Sequence, residues 1–176
     1  PFMIYFGEEV GESGMDEEGF SGRDGRTTIF DWWSIASVQR LRKVIASGAY
    51  RNLDVESLVE AGMNREEADV FCRFAQAIRF ASADPAITKG TTYDLCYCNM
   101  SSNGFDKNRH FVFLRDYEEH TLLIAVNFAN TVANIKVVLP QHAFDWMGIP
   151  VSDDLYPGKE IEVSVQPMDG TVITLI

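Results

Sequence analysis

From about Thr91 the chain changes from helical spacing to an alternation of period two, and this switch limits the folds open to it more than any other feature. Before the switch, Ile35, Val38, Leu41 and Ile45 recur at near-helical spacing. Arg40, Arg42 and Lys43 come late and Gly48 follows as a stop, which predicts a helix. Asp54 stands where it can cap a short helix through Ala61 that Gly62 ends. Asn64 with Glu67 three residues on has the spacing of a capping box. It opens an apolar stripe through Val70, Phe71, Phe74, Ile78 and Ala81, which Asp84-Pro85 stops.

After the switch, β-branched and aromatic residues predict strands near Tyr93–Cys98, Phe111–Tyr117, Thr121–Phe128, Ile135–Leu139, Glu160–Gln166 and Thr171–Ile176, with a further candidate within Ala143–Ile149. Asn103-Gly104, Pro157-Gly158 and Asp169-Gly170 are read as the turns between them. Ile161, Val163 and Val165 alternate with Glu160, Glu162 and Ser164, so one face of that strand is wet. Short strands at this spacing imply an antiparallel Greek-key β-sandwich. The fold class is therefore α+β, with a helical part over residues 1–90 and a sandwich over 91–176.

Pro1-Phe2-Met3-Ile4-Tyr5-Phe6 is apolar without alternation and ends at Gly7-Glu8-Glu9. Such a run reads as a strand buried on both faces, the habit of parallel sheets covered by helices. A parallel strand needs parallel neighbours, so the chain is expected to be the tail of a larger enzyme. Left without those neighbours, Phe2–Phe6 is also expected to drive self-association or to dock non-natively on the helices.

Charge and cysteine content narrow the function. Fifteen basic against 26 acidic residues leave a formal charge of −11, a poor match for nucleic acid. No stretch reads as a signal peptide or a membrane span, and the compartment is not legible. Cys72, Cys96 and Cys98 are an odd set at uneven spacing, so no disulfide framework is expected. Cys96 and Cys98, two apart on an expected strand, face one side. No His or Cys pair at zinc-like spacing completes a site, and buried free thiols are the reading. No cofactor and no metal is expected.

The order of these pieces resembles the C-terminal part of the α-amylase family of glycoside hydrolases. Pro1–Gly11 is similar to that family's eighth barrel strand: Pro, apolar residues, Tyr, aromatic, Gly, polar, Glu, apolar, Gly. The stripe from Val70 to Ala81, then Asp84-Pro85-Ala86-Ile87 and Gly90, looks like the last barrel helix and its exit. Leu123-Ile124-Ala125-Val126-Asn127-Phe128 resembles the strand carrying a Val-Asn-Phe signature in the C-terminal domain. The resemblance implies a TIM-barrel remnant over 1–90, a C-terminal sandwich over 91–176, and a parent that hydrolyses α-glucans or maltooligosaccharides with retention. It places the family's catalytic Asp, Glu and Asp on barrel strands upstream of Pro1. No catalytic residue is therefore assigned, and the chain alone is expected to be inactive. A retaining glycosidase needs two carboxyl groups about 5–5.5 Å apart, and adjacent strand residues such as Glu8 and Glu9 point to opposite faces.

The resemblance makes Glu8, Glu9, Asp24, Arg26, Trp32 and Trp33 the candidates for substrate contact in the intact parent, since the eighth strand's carboxyl end and the loop after it rim the cleft. Each has a plainer reading. The glutamates are solvated or locally paired, Asp24 pairs with Arg26, and at least one tryptophan anchors the loop to the core. Glu12, Asp16, Glu17 and Glu18 lack the ligand spacing of a calcium loop. His110, His120 and His142 have no nucleophile beside them and read as surface or strand-end residues. The rival function is a non-catalytic carbohydrate-binding or interaction module. It requires an exposed aromatic row, such as Trp146 with Phe144 or the Trp32-Trp33 pair.

Overall fold

The computed structural model describes Ile4, residues 7–12 and residues 35–176. Two compact units divide the chain, Pro1–Phe80 and Ala81–Ile176.

In the first unit, α1 (Ala36–Ser47) ends as expected at Gly48, whose φ of 79° gives the left-handed cap that glycine adopts most easily. Its buried face is Ser37, Leu41 and Val44 rather than the expected Ile35–Val38–Leu41–Ile45 stripe, and Ile45 is exposed. The buried set also follows the i, i+4, i+7 rule and shares Leu41 with the expected stripe. A second helix, α2 (Val55–Glu60), is capped by Asp54, whose carboxylate accepts from the Ser57 N–H at 2.8 Å. At the start of α3 (Arg65–Ala83), Glu67 reaches back to the Asn64 N–H at 3.2 Å, as a capping box requires. The same carboxylate takes a bidentate pair from Arg40 of α1, at 2.9 and 2.5 Å. That pairing holds the Glu67 carboxyl below its ordinary range. Val10, Leu41, Val44, Leu58, Met63, Ala68 and Cys72 form the core of this unit.

Glu8–Val10 form a 3₁₀ turn, so the two glutamates do not close an extended strand. Gly7 and Gly11 flank them at φ 92° and 67°, and successive positive-φ glycines break an extended path. Ile4 lies in no strand, and the rest of the expected Phe2–Phe6 strand lies outside the described residues.

The second unit is antiparallel throughout. One sheet has the order β1-β2-β3-β6, built from Thr91–Asp94, His110–Tyr117, His120–Asn127 and Asp169–Thr174. The other pairs β4 (Ala133–Val138) with β5 (Glu160–Val165). The inward residues Val112, Leu114, Leu123, Ala125, Ile135, Val137, Val163 and Val165 share one core. With the helices, the chain is mixed α+β with antiparallel sheets.

β6 returns beside β3 after β4 and β5 have paired in the other sheet. Several expectations need correction. Cys96–Asn99 and Gln141–Met147 are helices, α5 and α6, where strands were expected. Asp94, just before the first, accepts the Cys96 N–H at 2.7 Å, and Gly148 closes the second with φ 73°. Asp169-Gly170 lies inside β6, because the chain has already crossed between sheets at Gln166–Met168. The tight β2–β3 turn is instead Glu118-Glu119, both at positive φ (49° and 65°) as a type I′ turn requires. Nothing in that dipeptide announces it; the register of two long strands imposes it. Asp84-Pro85 does stop α3, and Asp84 then caps the short α4 (Pro85–Thr88) by accepting the Ala86 N–H at 2.8 Å. At Gly90 a Cβ would stand 2.6 Å from the Asp116 carbonyl oxygen, so only glycine lets the chain pass from α4 into β1 there.

Asn127 governs the two crossings between sheets. It is fully buried at the end of β3. Its Nδ2 donates to the carbonyls of Thr131 (2.8 Å), Val165 (3.3 Å) and Gln166 (3.1 Å), and its Oδ1 accepts from the Ala129 N–H (2.8 Å). Removing the amide strands buried backbone groups, each costing about 1–3 kcal/mol. Asn127→Ala is therefore expected to lower unfolding stability by about 3 kcal/mol, seen as a drop in the urea midpoint without change in slope.

Candidate functional site

Asp24, Arg26, Trp32 and Trp33 lie outside the described residues. Of the expected site residues, Glu9 turns its carboxylate back on the Gly7 N–H at 3.0 Å and so stabilises its own turn. Glu8 is exposed beside it. Glu12 accepts a short hydrogen bond from the buried Ser37 hydroxyl, which ties this segment to α1. Among the described residues no three His, Cys, Asp or Glu side chains gather in a way that could hold a metal.

The thiols are occupied by their surroundings. Cys96 Sγ lies 3.5 Å from the Val112 carbonyl and 3.3 Å from the Val112 N–H, while Cys98 Sγ lies 3.2 Å from the Leu95 carbonyl. Burial pushes the Cys96 thiol up to about 11 and raises Cys72 and Cys98 as well, so none is primed as a nucleophile. A groove of about 340 Å³ runs over the β4–β5 pair between Asn103, Lys136, Glu162 and Ser164. Lys136 is drawn to Glu160 and Glu162 there, and the lining places no histidine or cysteine beside Ser164.

The three histidines do different work. His110 accepts the Asp106 N–H at 2.9 Å and packs against Phe105. His120 bonds Asp84 Oδ2 at 3.0 Å, with its other ring nitrogen 3.3 Å from the Ile176 carbonyl. His142 belongs to a cluster that the sequence reading missed.

That cluster is built on Tyr93 of β1. Its ring is buried in the sandwich core, and its hydroxyl lies 2.6 Å from the Tyr97 hydroxyl and 2.8 Å from His142 Nδ1. Trp146 completes it, its ring centroid 5.9 Å from that of Tyr93 at 50°. His142 and Trp146 meet there because they are four residues apart on α6 and share a face. Tyr97 arrives from α5. Tyr97 is 51% exposed and Trp146 56%, so two aromatic rings present themselves to solvent around a fixed hub. Burial first, then the Tyr97 hydrogen bond, raises the Tyr93 hydroxyl above its ordinary range and keeps it protonated. Phe144, the partner expected for Trp146, is instead buried in the core, since residues two apart on a helix do not share a face. The usable signal was Pro140 before and Gly148 after a His142–Trp146 pair at helical spacing.

A second surface lies on the outer face of the four-stranded sheet. Ala86 of α4 packs on Leu122 and Ile124, and the Arg115 guanidinium clamps that helix by donating to the carbonyls of Ala86 (2.8 Å) and Ile87 (2.5 Å). Beyond α4 the face stays apolar and open: Phe111 is 44% and Val172 42% exposed, with Phe113 against Phe111. Phe128, just past β3, is 59% exposed.

No protein-family model matches the chain, and no curated protein matches it. Two solved structures are similar to it in part. One is the crystal structure of AmyP in complex with maltose, with 15% sequence identity and a TM-score of 0.44 over 65% of this chain and 22% of that one. The other is the ligand-free cyclic α-maltosyl-(1→6)-maltose hydrolase from Arthrobacter globiformis, with 14% identity and a TM-score of 0.41 over 98% of this chain and 26% of that one. The chain spans about a quarter of the length of each.

The His120–Asp84 pair makes stability depend on pH. The Asp84 hydrogen bond raises the His120 pKa, and its contribution is present below the unfolded value and lost as pH rises through the folded one. Burial works against ionised Asp84, but the bonds from His120 and the Ala86 N–H outweigh it and lower its pKa. That contribution is lost as pH falls through the folded value. The pair is thus expected to stabilise most between about pH 4 and pH 6.5. Urea midpoints across pH should fall above that window in the native chain and fall less steeply in His120→Gln.

Proposed function

We propose that this chain is the C-terminal part of an α-amylase-like glycoside hydrolase acting on α-glucans, in which the sandwich caps and stabilises the catalytic barrel. One observation carries this reading: the open apolar face formed by Phe111, Phe113, Val126 and Val172. A sheet normally buries such a face against another layer, and here α4 covers only part of it. The order of motifs supports the same reading, from the Pro1–Gly11 run through Asp84-Pro85 and Gly90 to Val126-Asn127-Phe128. Asn127 in that last motif has a structural task, the tie between sheets, that suits a sandwich whose role is stability. On this reading residues 1–90 supply the end of the barrel, and Glu8, Glu9, Asp24, Arg26, Trp32 and Trp33 stand near its cleft. The catalytic carboxylates lie upstream, and the parent binds maltooligosaccharides.

Two experiments test it. The purified chain is expected to release no reducing sugar from starch, and clear release overturns the proposal. In the full-length parent, Phe111→Ser with Val172→Ser is expected to lower the thermal midpoint by several degrees, as a loss of about 1–2 kcal/mol of buried apolar surface implies. kcat/KM should stay within about twofold, since the face is remote from chemistry. In the isolated chain the same pair is expected to be neutral or to improve solubility. An unchanged midpoint in the parent sinks the docking role.

A further inference from the structure

We propose that Tyr93, Tyr97, His142 and Trp146 form a binding site for a neutral sugar, in which a pyranose ring stacks on the exposed Trp146 indole while its hydroxyls bond to Tyr97 and His142. The site stands apart from the proposed catalytic parentage, which supplies only the first probe. It is also a different surface from the apolar outer face. Tyr93 points into the core side of β1, whereas Phe111, Phe113 and Val172 lie on the opposite side of the same sheet.

Three observations argue for this ligand class. The first is the combination of flat apolar rings with fixed polar atoms. The C–H faces of a pyranose match an exposed indole, and a two-χ aromatic offers that area at little entropic cost. Trp146 and Tyr97 are each more than half exposed, although both are held against Tyr93, with centroids 5.9 and 6.2 Å from it. Stacking surfaces that are exposed yet positioned are what a weakly hydrated ligand face can use.

The second is unused hydrogen-bonding capacity. Tyr93 lies between Tyr97 and His142 and consumes one contact from each, at 2.6 and 2.8 Å. Tyr97 keeps an acceptor lone pair. The Nε2 atom of the exposed His142 has no partner among the described residues. The buried hub orients both groups, so a sugar hydroxyl meets a preformed pair rather than two mobile side chains.

The third is charge. The stretches that carry the cluster, residues 91–106 and 137–158, contain no Lys or Arg. Asp94 follows Tyr93, and Asp145 precedes Trp146. These stretches offer an anionic ligand no Lys or Arg side chain, which weighs against phosphates, nucleic acid and acidic peptides. A neutral polyhydroxyl ligand fits. An organic cation that sits on aromatic faces is the competitor.

The test is titration of the full 176-residue chain with maltoheptaose, read by tryptophan fluorescence and calorimetry in parallel. Saturable binding is expected, weakened about tenfold or more in Trp146→Ala. Tyr97→Phe and His142→Gln should each weaken it several-fold, while Phe111→Ala, an exposed aromatic on the opposite side of the sheet, leaves it unchanged. Circular dichroism checks that each variant folds; should Trp146→Ala not fold, Tyr97→Phe and His142→Gln decide the matter. Binding of cellohexaose or mannohexaose instead, lost in the same variants, upholds the sugar site and counts against the α-glucan reading of the parent. Three results overturn the proposal: no neutral oligosaccharide bound at millimolar concentration, sugar binding unaffected by these variants, or variant-sensitive binding of choline in place of sugar.

Discussion

Asn127 is the constraint on which the second unit depends. A two-sheet structure needs the chain to leave one sheet and return to it, and each crossing exposes carbonyls and N–H groups that no ladder satisfies. Here both crossings are answered by one carboxamide, which takes the Ala129 N–H at the outward crossing and reaches Val165 and Gln166 at the return. An aliphatic side chain in that place would fill the volume yet leave the carbonyls unpaired. Asn99 does similar work at the other end. Its Oδ1 accepts the Val138 N–H at 2.8 Å and its Nδ2 donates to the Leu95 and Val138 carbonyls, so α5 is joined to the end of β4. Two buried asparagines thus satisfy backbone groups that strand pairing leaves open, one between the sheets and one between α5 and β4.

With the sheets held this way, the two sides of the four-stranded sheet take different characters. The inner side is filled by aliphatics and by Tyr93. The outer side is aromatic and apolar, and α4 with the Arg115 clamp packs upon part of it. The edge strand β1 is flanked by short helices rather than another strand, and α6 carries a tryptophan and a histidine to its buried tyrosine. One surface suits a protein neighbour and the other a small polar ligand. The difference lies in whether the aromatics come alone or with oriented hydroxyl and imidazole groups.

In the first unit, the Arg40–Glu67 pair joins two levels of structure. Glu67 closes the N-terminus of α3 and, through both carboxylate oxygens, holds Arg40 of α1. Its side chain is 12% exposed, so the pair is shielded from the screening that makes surface ion pairs weak. The capping role was legible from spacing, whereas the link to α1 was not, because nothing local says which basic residue of α1 faces that turn.

Local rules decided much of this protein from the sequence alone. The stops at Gly48 and Asp84-Pro85, the Asp54 cap, the Glu67 reach-back and the period-two strands from Phe111 onward all follow from contacts within a few residues, which a sequence displays directly. The Gln141–Met147 helix was also announced locally, by Pro140 and Gly148, but a short apolar run reads as strand or helix alike. Tertiary structure alone decided the rest. It set which face of α1 is buried, where β6 returns, why Glu118-Glu119 can turn at positive φ, and how Tyr93, Tyr97, His142 and Trp146 meet across 53 residues of chain. Each of these depends on what another segment places opposite, and packing between distant segments leaves no pattern in either one.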